Sequence, residues 1–213
     1  MNLALYIHWP FCEAKCPYCD FNSHVATHVD HDAWREALLR DLRHQAAAHP
    51  DRILGSIFFG GGTPSRMHPD TAAALIEEAR RLWPCVNDLE ITLEANPTSI
   101  ESARFAAFAR AGINRVSVGV QSLDDADLRR LGRTHDVATA LDALAIARTH
   151  FDRLSFDLIY ARQDQTPAAW RAELTRALAL APDHLSLYQL TVEPGTIFAR
   201  RQANGTLPGL PDD

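Results

Sequence analysis

The sequence predicts an α/β protein in which parallel strands form an incomplete (β/α)6 TIM-like barrel. Apolar segments of strand type alternate with segments of helical period along the chain. No hairpin signal joins two of these strands, which favours a parallel sheet with right-handed crossovers. Such a sheet is either doubly wound or curled towards a barrel, and its six predicted strands are fewer than the eight of a closed barrel.

The six strands are predicted from short runs of aliphatic, β-branched and aromatic residues. They cover residues 3–9, 53–60, 88–95, 115–120, 153–160 and 183–190. In the fourth strand, Val116, Val118 and Val120 alternate with small or polar residues, which is typical of a strand with one buried face.

Helices are predicted between the strands from apolar stripes and from capping signals. The stripes are Trp34, Leu38 and Leu42; Leu75, Ile76, Ala79, Leu82 and Trp83; Phe105 and Phe108; Leu141, Leu144 and Ala145; and Trp170, Leu174 and Leu178. The start signals are Asp30 or Asp32, the capping box Thr98–Glu101, and Thr166 followed by Pro167; the stop signals are Pro84 and Gly112. Residues 201–213 are rich in turn residues and show no strand or helix period.

Charge and hydropathy exclude several classes of protein. The 213 residues contain 21 Lys and Arg against 27 Asp and Glu, so no basic surface for nucleic acid is expected. Every apolar run is shorter than the roughly 18 residues of a membrane span, and the N-terminus lacks the basic segment and cleavage site of a signal peptide. We therefore expect a cytoplasmic protein of one or two domains, with no transmembrane segment and no nucleic-acid partner.

Three of the four cysteines lie close together after the first strand. Cys12, Cys16 and Cys19 follow the spacing C-x3-C-x2-C, which suits an iron–sulfur cluster with one iron left open for a further ligand. A zinc site needs a fourth ligand, for which His24 is the nearest candidate, and a chance grouping is the third interpretation. Cys85 has no such neighbours and is expected in the core.

Glycine and polar residues follow the ends of the predicted strands, where parallel sheets bind ligands. Gly60–Gly62 follow the second strand and form either a tight turn or a backbone segment that approaches a ligand closely. Glu94, Gln121, Arg133 and Asp157 lie at or just beyond the ends of the next three strands. Each alone is more typical of a surface or structural residue, but together they supply two carboxylates, an amide and a guanidinium at one rim.

These motifs, in this order, resemble those of radical S-adenosylmethionine proteins related to oxygen-independent coproporphyrinogen III oxidase. The segments that carry the resemblance are YIHWPFCEAKCPYCDFNS (6–23), FGGGTPS (59–65), ITLEANP (91–97), GINRVSVGVQS (112–122), LGRTH (131–135), FDLIY (156–160) and LSLYQL (185–190). The resemblance covers nearly the whole chain and is greatest to the HemW branch, whose members are known as haem chaperones. It implies the radical SAM core fold.

The resemblance also implies the cofactors and their ligands. A [4Fe–4S] cluster would be held by Cys12, Cys16 and Cys19, beside bound S-adenosylmethionine, with haem as cargo. The residues that it assigns to S-adenosylmethionine are Gly61, Gly62, Thr63, Glu94, Gln121, Arg133 and Asp157, with Tyr6 and Tyr18 lining the cluster and the cofactor.

Two functions are compatible with the resemblance. A haem chaperone binds haem and delivers it to acceptor proteins, whereas a coproporphyrinogen III oxidase decarboxylates propionate side chains oxidatively; both imply haem or porphyrin and an electron donor as partners. In the oxidases a further cysteine stands two places after the third, and here that position is Phe21. The sequence therefore favours the chaperone and leaves open whether the chain is an enzyme.

Two further features depart from the family pattern. Residues 161–164, Ala-Arg-Gln-Asp, stand where the resemblance implies a Gly-Leu-Pro turn, which leaves the shape of that loop open. Relatives continue into a C-terminal domain associated with substrate or haem. We therefore expect residues 1–200 to form the radical SAM core domain, and residues 201–213 to begin the connection to a C-terminal domain that is absent from this chain.

Overall fold

The fold is an α/β half-barrel with a sheet of six parallel strands. A computed structural model describes residues 2–211, and for residues 99 and 100 it describes the backbone only. The strands are β1 (Asn2–Trp9), β2 (Ile53–Gly61), β3 (Cys85–Ala95), β4 (Arg115–Gln121), β5 (Arg153–Tyr160) and β6 (His184–Gln189). Each strand pairs in parallel with the next strand along the chain.

The order of the strands distinguishes the two predicted topologies. A doubly wound sheet reverses its strand order at a switch point, whereas the order of the described strands follows the chain from β1 to β6. With right-handed crossovers, an unreversed order places every connecting helix on the same face of the sheet. The incomplete (β/α)6 barrel is therefore confirmed.

Eight α-helices are described, and most begin where the sequence predicts. They are α1 (His31–Ala48), α2 (Pro69–Leu82), α3 (Ser99–Ser102), α4 (Phe105–Arg110), α5 (Asp125–Arg130), α6 (Val137–His150), α7 (Pro167–Ala179) and α8 (Ile197–Ala203). Asp30, rather than Asp32, caps α1 by accepting a hydrogen bond from Ala33 N at 3.0 Å. Thr166 caps α7 in the same way, through Ala169 N at 3.1 Å.

The main core lies between the sheet and the helices. Val116, Val118 and Val120 are fully buried on that side of β4, and Phe105 and Phe108 of α4 are fully buried against it. Because successive side chains of a strand point to opposite faces, the other face of the sheet carries the intervening polar residues. This concave face is the lumen of the half-barrel.

The helix predicted from Thr98 through Phe108 is divided in two. The end of α3 at Ser102 and the start of α4 at Phe105 are separated by a turn. Thr98 Oγ1 accepts from Glu101 N at 3.3 Å, as a capping box requires. The carboxylate of Glu101 instead accepts from Asn96 N at 2.8 Å, so the reciprocal half of the predicted box is wrong. Two residues of the predicted box, Ser99 and Ile100, have side chains outside the described part of the chain.

The predicted stripes on α6 and α7 are partly wrong. On α7 the buried residues are Glu173 and Ala177, while Leu178 is 59% exposed. Ala145 of α6 is exposed too, and the buried face of that helix is formed by Ala140, Ala143, Leu144 and Ala147. The α7 stripe is displaced because a buried ion pair of Glu173 occupies part of the inner face.

The chain after β6 contains more structure than the sequence predicts. Helix α8 extends to Ala203 and so crosses the predicted boundary at residue 200, while Asp212 and Asp213 lie outside the described residues. Phe198 anchors this helix, because its side chain is buried and its backbone N donates to Pro17 O at 2.9 Å. The division into a core and a connecting segment stays a prediction. Among residues 2–211, the helices are all too short or too polar to cross a membrane.

One matched pair of substitutions tests this arrangement of the helices. Leu75 of α2 is 1% exposed and Leu178 of α7 is 59% exposed. Replacing Leu75 by Ala is expected to lower the free energy of unfolding by about 2–5 kcal/mol, because it opens a cavity in the core. Leu178→Ala is expected to change it by less than about 0.5 kcal/mol. Urea unfolding followed by circular dichroism measures both, and equal losses would contradict the assigned outer face of α7.

Candidate cofactor site

A cavity of about 280 Å³ opens at the carboxyl ends of the strands. This size is close to the lower end of the range for small-molecule sites, roughly 300–1,000 Å³. The predicted site residues that line it are Cys12, Cys16, Tyr18, Cys19, Gly61, Gly62, Thr63, Glu94, Gln121, Arg133 and Asp157. The topology thus brings together residues that are up to 145 positions apart in the sequence, from Cys12 to Asp157.

The cysteine loop is folded back on itself by backbone hydrogen bonds. A two-residue strand at Phe11–Cys12 pairs with another at His24–Val25. Within the loop, Cys19 N donates to Cys16 O at 3.0 Å, and Lys15 Nζ donates to Phe21 O at 3.2 Å. Cys12 is buried, while Cys16 and Cys19 are half-buried. Burial raises the pKa of the Cys19 thiol, and a cation bound to its sulfur would favour the thiolate.

The donors around the sulfur atoms fit an iron–sulfur cluster. Thr63 Oγ1 donates to Cys12 Sγ at 3.5 Å, and Arg133 Nη1 donates to Cys16 Sγ at 3.3 Å. Such hydrogen bonds stabilise cluster thiolates and tune their potential. In the described part of the chain, no three His, Cys, Asp or Glu side chains stand at the spacing that one metal ion needs. A cubane cluster does not need its three ligands to converge on one ion, because each thiolate binds a separate iron.

The glycine segment after β2 holds the backbone close to the cysteine loop. A Cβ at Gly62 would lie 3.0 Å from Cys12 Sγ and 2.9 Å from Phe11 O, so any side chain there would displace the loop. Gly61 has φ +118°, a conformation that L side chains rarely adopt. Its backbone N donates to Glu94 Oε2 at 3.2 Å. These glycines therefore connect the cysteine loop to the carboxylate of Glu94 on β3.

Two carboxyl groups face each other across the lumen. Burial, and then the nearby charge of Asp157, raise the pKa of Glu94 to about 7. Burial also raises the pKa of Asp157, although Ser117 Oγ donates to its Oδ1 at 3.2 Å. A cationic ligand bound between them would favour the ionised form of both.

Arg133 links the cysteine loop to the ends of the strands. Its Nη2 donates to Asn96 Oδ1 at 2.6 Å and to Gly119 O at 3.1 Å, while Nη1 contacts Cys16. Its Nε is buried and has no hydrogen-bond partner among the described residues. This nitrogen is enclosed by protein atoms, so it is an unsatisfied buried donor beside the cavity that Arg133 lines.

His135, two residues further on, is buried and neutral. Burial and the adjacent Arg133 lower its pKa to about 4. Its Nε2 therefore carries a proton and donates to Val120 O at 3.1 Å. This hydrogen bond ties the segment after α5 to the end of β4.

The remaining predicted residues differ in their surroundings. Gln121 ends β4 with φ +70°, which turns the chain sharply at the rim. Tyr18 packs against Phe198, and burial raises the pKa of its phenol. Tyr6 does not line the cavity: it is 55% exposed, stacks on Phe58, and its Oη lies 3.2 Å from His8 Nδ1.

Sequence reasoning missed two polar residues of the site. Asn96 Nδ2 donates to Thr63 Oγ1 at 3.3 Å, so it joins Thr63 to Arg133. Glu101 is buried behind it and accepts from Asn96 N and Ser65 Oγ. The position of Asn96, two residues beyond Glu94 at the end of a strand, was a usable signal. Glu101 gave none, because its pattern with Thr98 resembles an ordinary cap.

Comparisons with known proteins agree with this geometry. The chain is 46% identical over 211 residues to mouse "Radical S-adenosyl methionine domain-containing protein 1, mitochondrial", covering 99% of this chain and 48% of that protein. It is 43% identical over 213 residues to the Escherichia coli "Heme chaperone HemW", covering 99% of this chain and 55% of the relative. The chain thus spans about half the length of the curated relatives it matches.

A solved structure and a family description complete the comparison. The structure of Escherichia coli coproporphyrinogen III oxidase (HemN), described as a radical SAM enzyme, superposes with a TM-score of 0.83 at 31% identity. The match covers 99% of this chain and 49% of that one. The sequence matches the radical SAM superfamily over residues 6–174, which is most of its length. The chain belongs to the radical SAM superfamily.

Proposed function

We propose that this chain binds a [4Fe–4S] cluster through Cys12, Cys16 and Cys19, and S-adenosylmethionine in the adjoining cavity. The observation that carries the proposal is that three cysteines and the polar rim of five strands line one cavity. Membership of the superfamily implies both cofactors.

The surroundings of each residue suggest its role. Gly61, Gly62 and Thr63 would hold the methionine part of the cofactor, since glycine lets the backbone approach closely there.

Glu94 and Asp157 would bind the hydroxyl and cationic groups of the cofactor. Arg133, which lines the cavity, would pair with its carboxylate, and Gln121 would add an amide. Tyr18 would border the site. Tyr6 is not among the cavity-lining residues, so its proposed place beside the cofactor rests on the resemblance alone.

When both cofactors are bound, they supply one-electron reductive cleavage of a carbon–sulfur bond. The protein binds and orients the two groups and keeps water from them. Cys12 Sγ and Cys16 Sγ accept hydrogen bonds from Thr63 and Arg133, which would stabilise sulfur atoms bound to a cluster. The carboxyl of Glu94 loses its proton when a cation is bound beside it.

We further propose that the protein is a haem chaperone like HemW, which binds haem and delivers it to acceptor proteins. Identity supports this choice, at 43% to HemW against 31% to coproporphyrinogen III oxidase. Phe21 supports it as well, because that exposed residue stands where the resemblance implies a fourth cysteine in the oxidases. Oxidative decarboxylation of coproporphyrinogen is the second candidate, favoured by the structural match.

The four cysteines test the proposed cluster, with one of them as control. Cys12→Ala, Cys16→Ala and Cys19→Ala are each expected to abolish cluster binding, because an open-site cubane has only three protein ligands. Cys85→Ala is expected to retain it, since Cys85 lies at the start of β3, away from the cavity. Iron and sulfide content after anaerobic reconstitution measures the result. A colourless protein with stoichiometric zinc would contradict the proposal.

Glu94→Gln tests the cofactor site through its pH dependence. In the free protein the pKa of Glu94 is about 7, above its ordinary value, so the folded state binds the proton more tightly than the unfolded state. The contribution of Glu94 to stability is therefore present at low pH and is lost as pH rises from about 4.5 through about 7. The non-titrating variant is expected to be more stable than the parent by about 1–3 kcal/mol at about pH 8, and not at about pH 4.

The same substitution is expected to weaken S-adenosylmethionine binding by about 10- to 100-fold at about pH 8, since a charge-assisted hydrogen bond is lost. Thermal unfolding of the apoprotein and calorimetric titration of the reconstituted protein measure the two effects. If Glu94→Gln gains stability but binds S-adenosylmethionine with unchanged affinity, Glu94 does not contact the cofactor.

Haem titration and turnover separate the two candidate functions. The reconstituted protein, with reductant and S-adenosylmethionine under anaerobic conditions, is expected to bind haem and to leave coproporphyrinogen III unchanged. Coproporphyrinogen III oxidase assayed in parallel shows that the conditions support turnover. Formation of protoporphyrinogen by this protein would overturn the chaperone assignment.

A further inference from the structure

A buried ion-pair network lies behind the rim of the cavity, where the proposed cofactor contacts do not use it. The side chains of Arg162 and Glu173 are only 5% and 7% exposed. Arg162 Nη2 lies 2.5 Å from Glu173 Oε2 and 2.8 Å from Asp127 Oδ2. Arg162 Nε also donates to Asp127, at 3.1 Å, and Nη1 donates to Ile159 O. One guanidinium therefore joins three separate segments.

The first segment carries Gln121. Glu173 Oε1 accepts from Leu123 N at 2.7 Å and from Ser122 Oγ at 2.8 Å, and these two residues directly follow Gln121. Because Gln121 has φ +70°, the direction of its side chain depends on how the residues after it are held. Glu173 holds them by two buried hydrogen bonds.

The other two segments carry Arg133 and Asp157. Asp127 lies in α5, and the turn that ends this helix is closed by Arg133 N donating to Leu128 O at 2.9 Å. Ile159 lies two residues after Asp157 on the same face of β5 and also lines the cavity. Arg162 therefore contacts the segments that carry Arg133 and Asp157.

We propose that the Arg162–Glu173–Asp127 network positions Gln121, Arg133 and Asp157 for S-adenosylmethionine. These three network residues are positioning residues, since none of them lines the cavity. The inference rests on the proposed function, because it assigns a role relative to that cofactor. A buried ion pair is weak support for stability, because desolvation opposes the attraction between the charges. The directional hydrogen bonds of the Arg162 guanidinium, by contrast, hold the joined segments in one arrangement.

Arg162→Lys is the sharpest test. Lysine keeps the charge beside Glu173 but loses the planar fork that reaches Asp127 and Ile159 at the same time. We expect a folded protein with an unchanged iron content and an S-adenosylmethionine Kd raised about 5- to 50-fold. Faster amide hydrogen exchange is expected in residues 121–133, measured without ligand by mass spectrometry.

Arg153→Lys is the control for position in the fold. Arg153 also pairs with two carboxylates, Glu90 at 2.7 Å and Asp88 at 3.1 Å, but at the other end of β5 and with a side chain that is 40% exposed. It lies away from the cavity, so the same substitution is expected to leave both the Kd and the exchange of residues 121–133 unchanged. An equal effect of the two substitutions would overturn the proposal.

A second variant tests the proposal if Arg162→Lys does not fold. Arg162→Met combined with Glu173→Gln removes both charges and keeps an oxygen acceptor for Leu123 N. It is expected to fold and to show the same weakened affinity and faster exchange. The proposal would be overturned if either folded variant had the Kd for S-adenosylmethionine and the amide exchange of the parent protein. It would also be overturned if neither variant folded, because the network would then be a requirement of folding. Failure of the parent protein to bind S-adenosylmethionine would instead contradict the proposed function, and the exchange data would still test the network.

Discussion

The direction of the βα crossovers determines where every functional group of this chain lies. Since each strand pairs in parallel with its predecessor, all carboxyl ends meet at one rim and the helices cover one face. The core between sheet and helices is apolar, as Val116 and Phe105 illustrate. The concave face is free to carry polar side chains such as Thr92 and Ser117. Glu94 and Asp157 can therefore face a common lumen without disturbing the core.

Two carboxyl groups in one lumen oppose the stability of the fold when no cation lies between them. Burial and mutual repulsion hold the pKa of Glu94 near 7, so its carboxylate is disfavoured at neutral pH. Burial raises the pKa of Asp157, and the nearby charge of Arg133 offsets this only in part. The hydrogen bonds of Arg133 go to Cys16, Asn96 and Gly119 instead. The site thus contains two carboxyl groups whose ionised forms the protein groups compensate only in part. This is the electrostatic pattern of a cavity suited to a cationic ligand.

The sequence predicted those features that depend on local pattern. The bounds of β5 agree with the prediction, and Thr166 caps α7 as its spacing with Pro167 indicates. The inner face of α7 was predicted wrongly because a pattern of apolar residues assigns Glu173 to solvent. Its partners Ser122 and Leu123 are about 50 residues away, and no local signal reveals them. Helix α8 was missed although Thr196 caps it by accepting from Ala199 N at 3.1 Å. Its position depends on Phe198, which contacts the distant residues Pro17 and Tyr18.

The loop after β5 shows how tertiary contacts replace a local preference. Ala161 and Asp164 have φ of +57° and +58°, where a side chain costs about 1–2 kcal/mol relative to glycine. The resemblance implies a Gly-Leu-Pro turn over residues 161–164, and none of these four residues is glycine here, so the chain makes this loop without the residue that favours positive φ. Arg162, between them, is fixed by its ion pairs and by Ile159 O. The same network holds the residues after Gln121, which is also left-handed. Local strain at the rim is therefore opposed by one buried set of charges, which couples the shape of the loop to the position of a site residue.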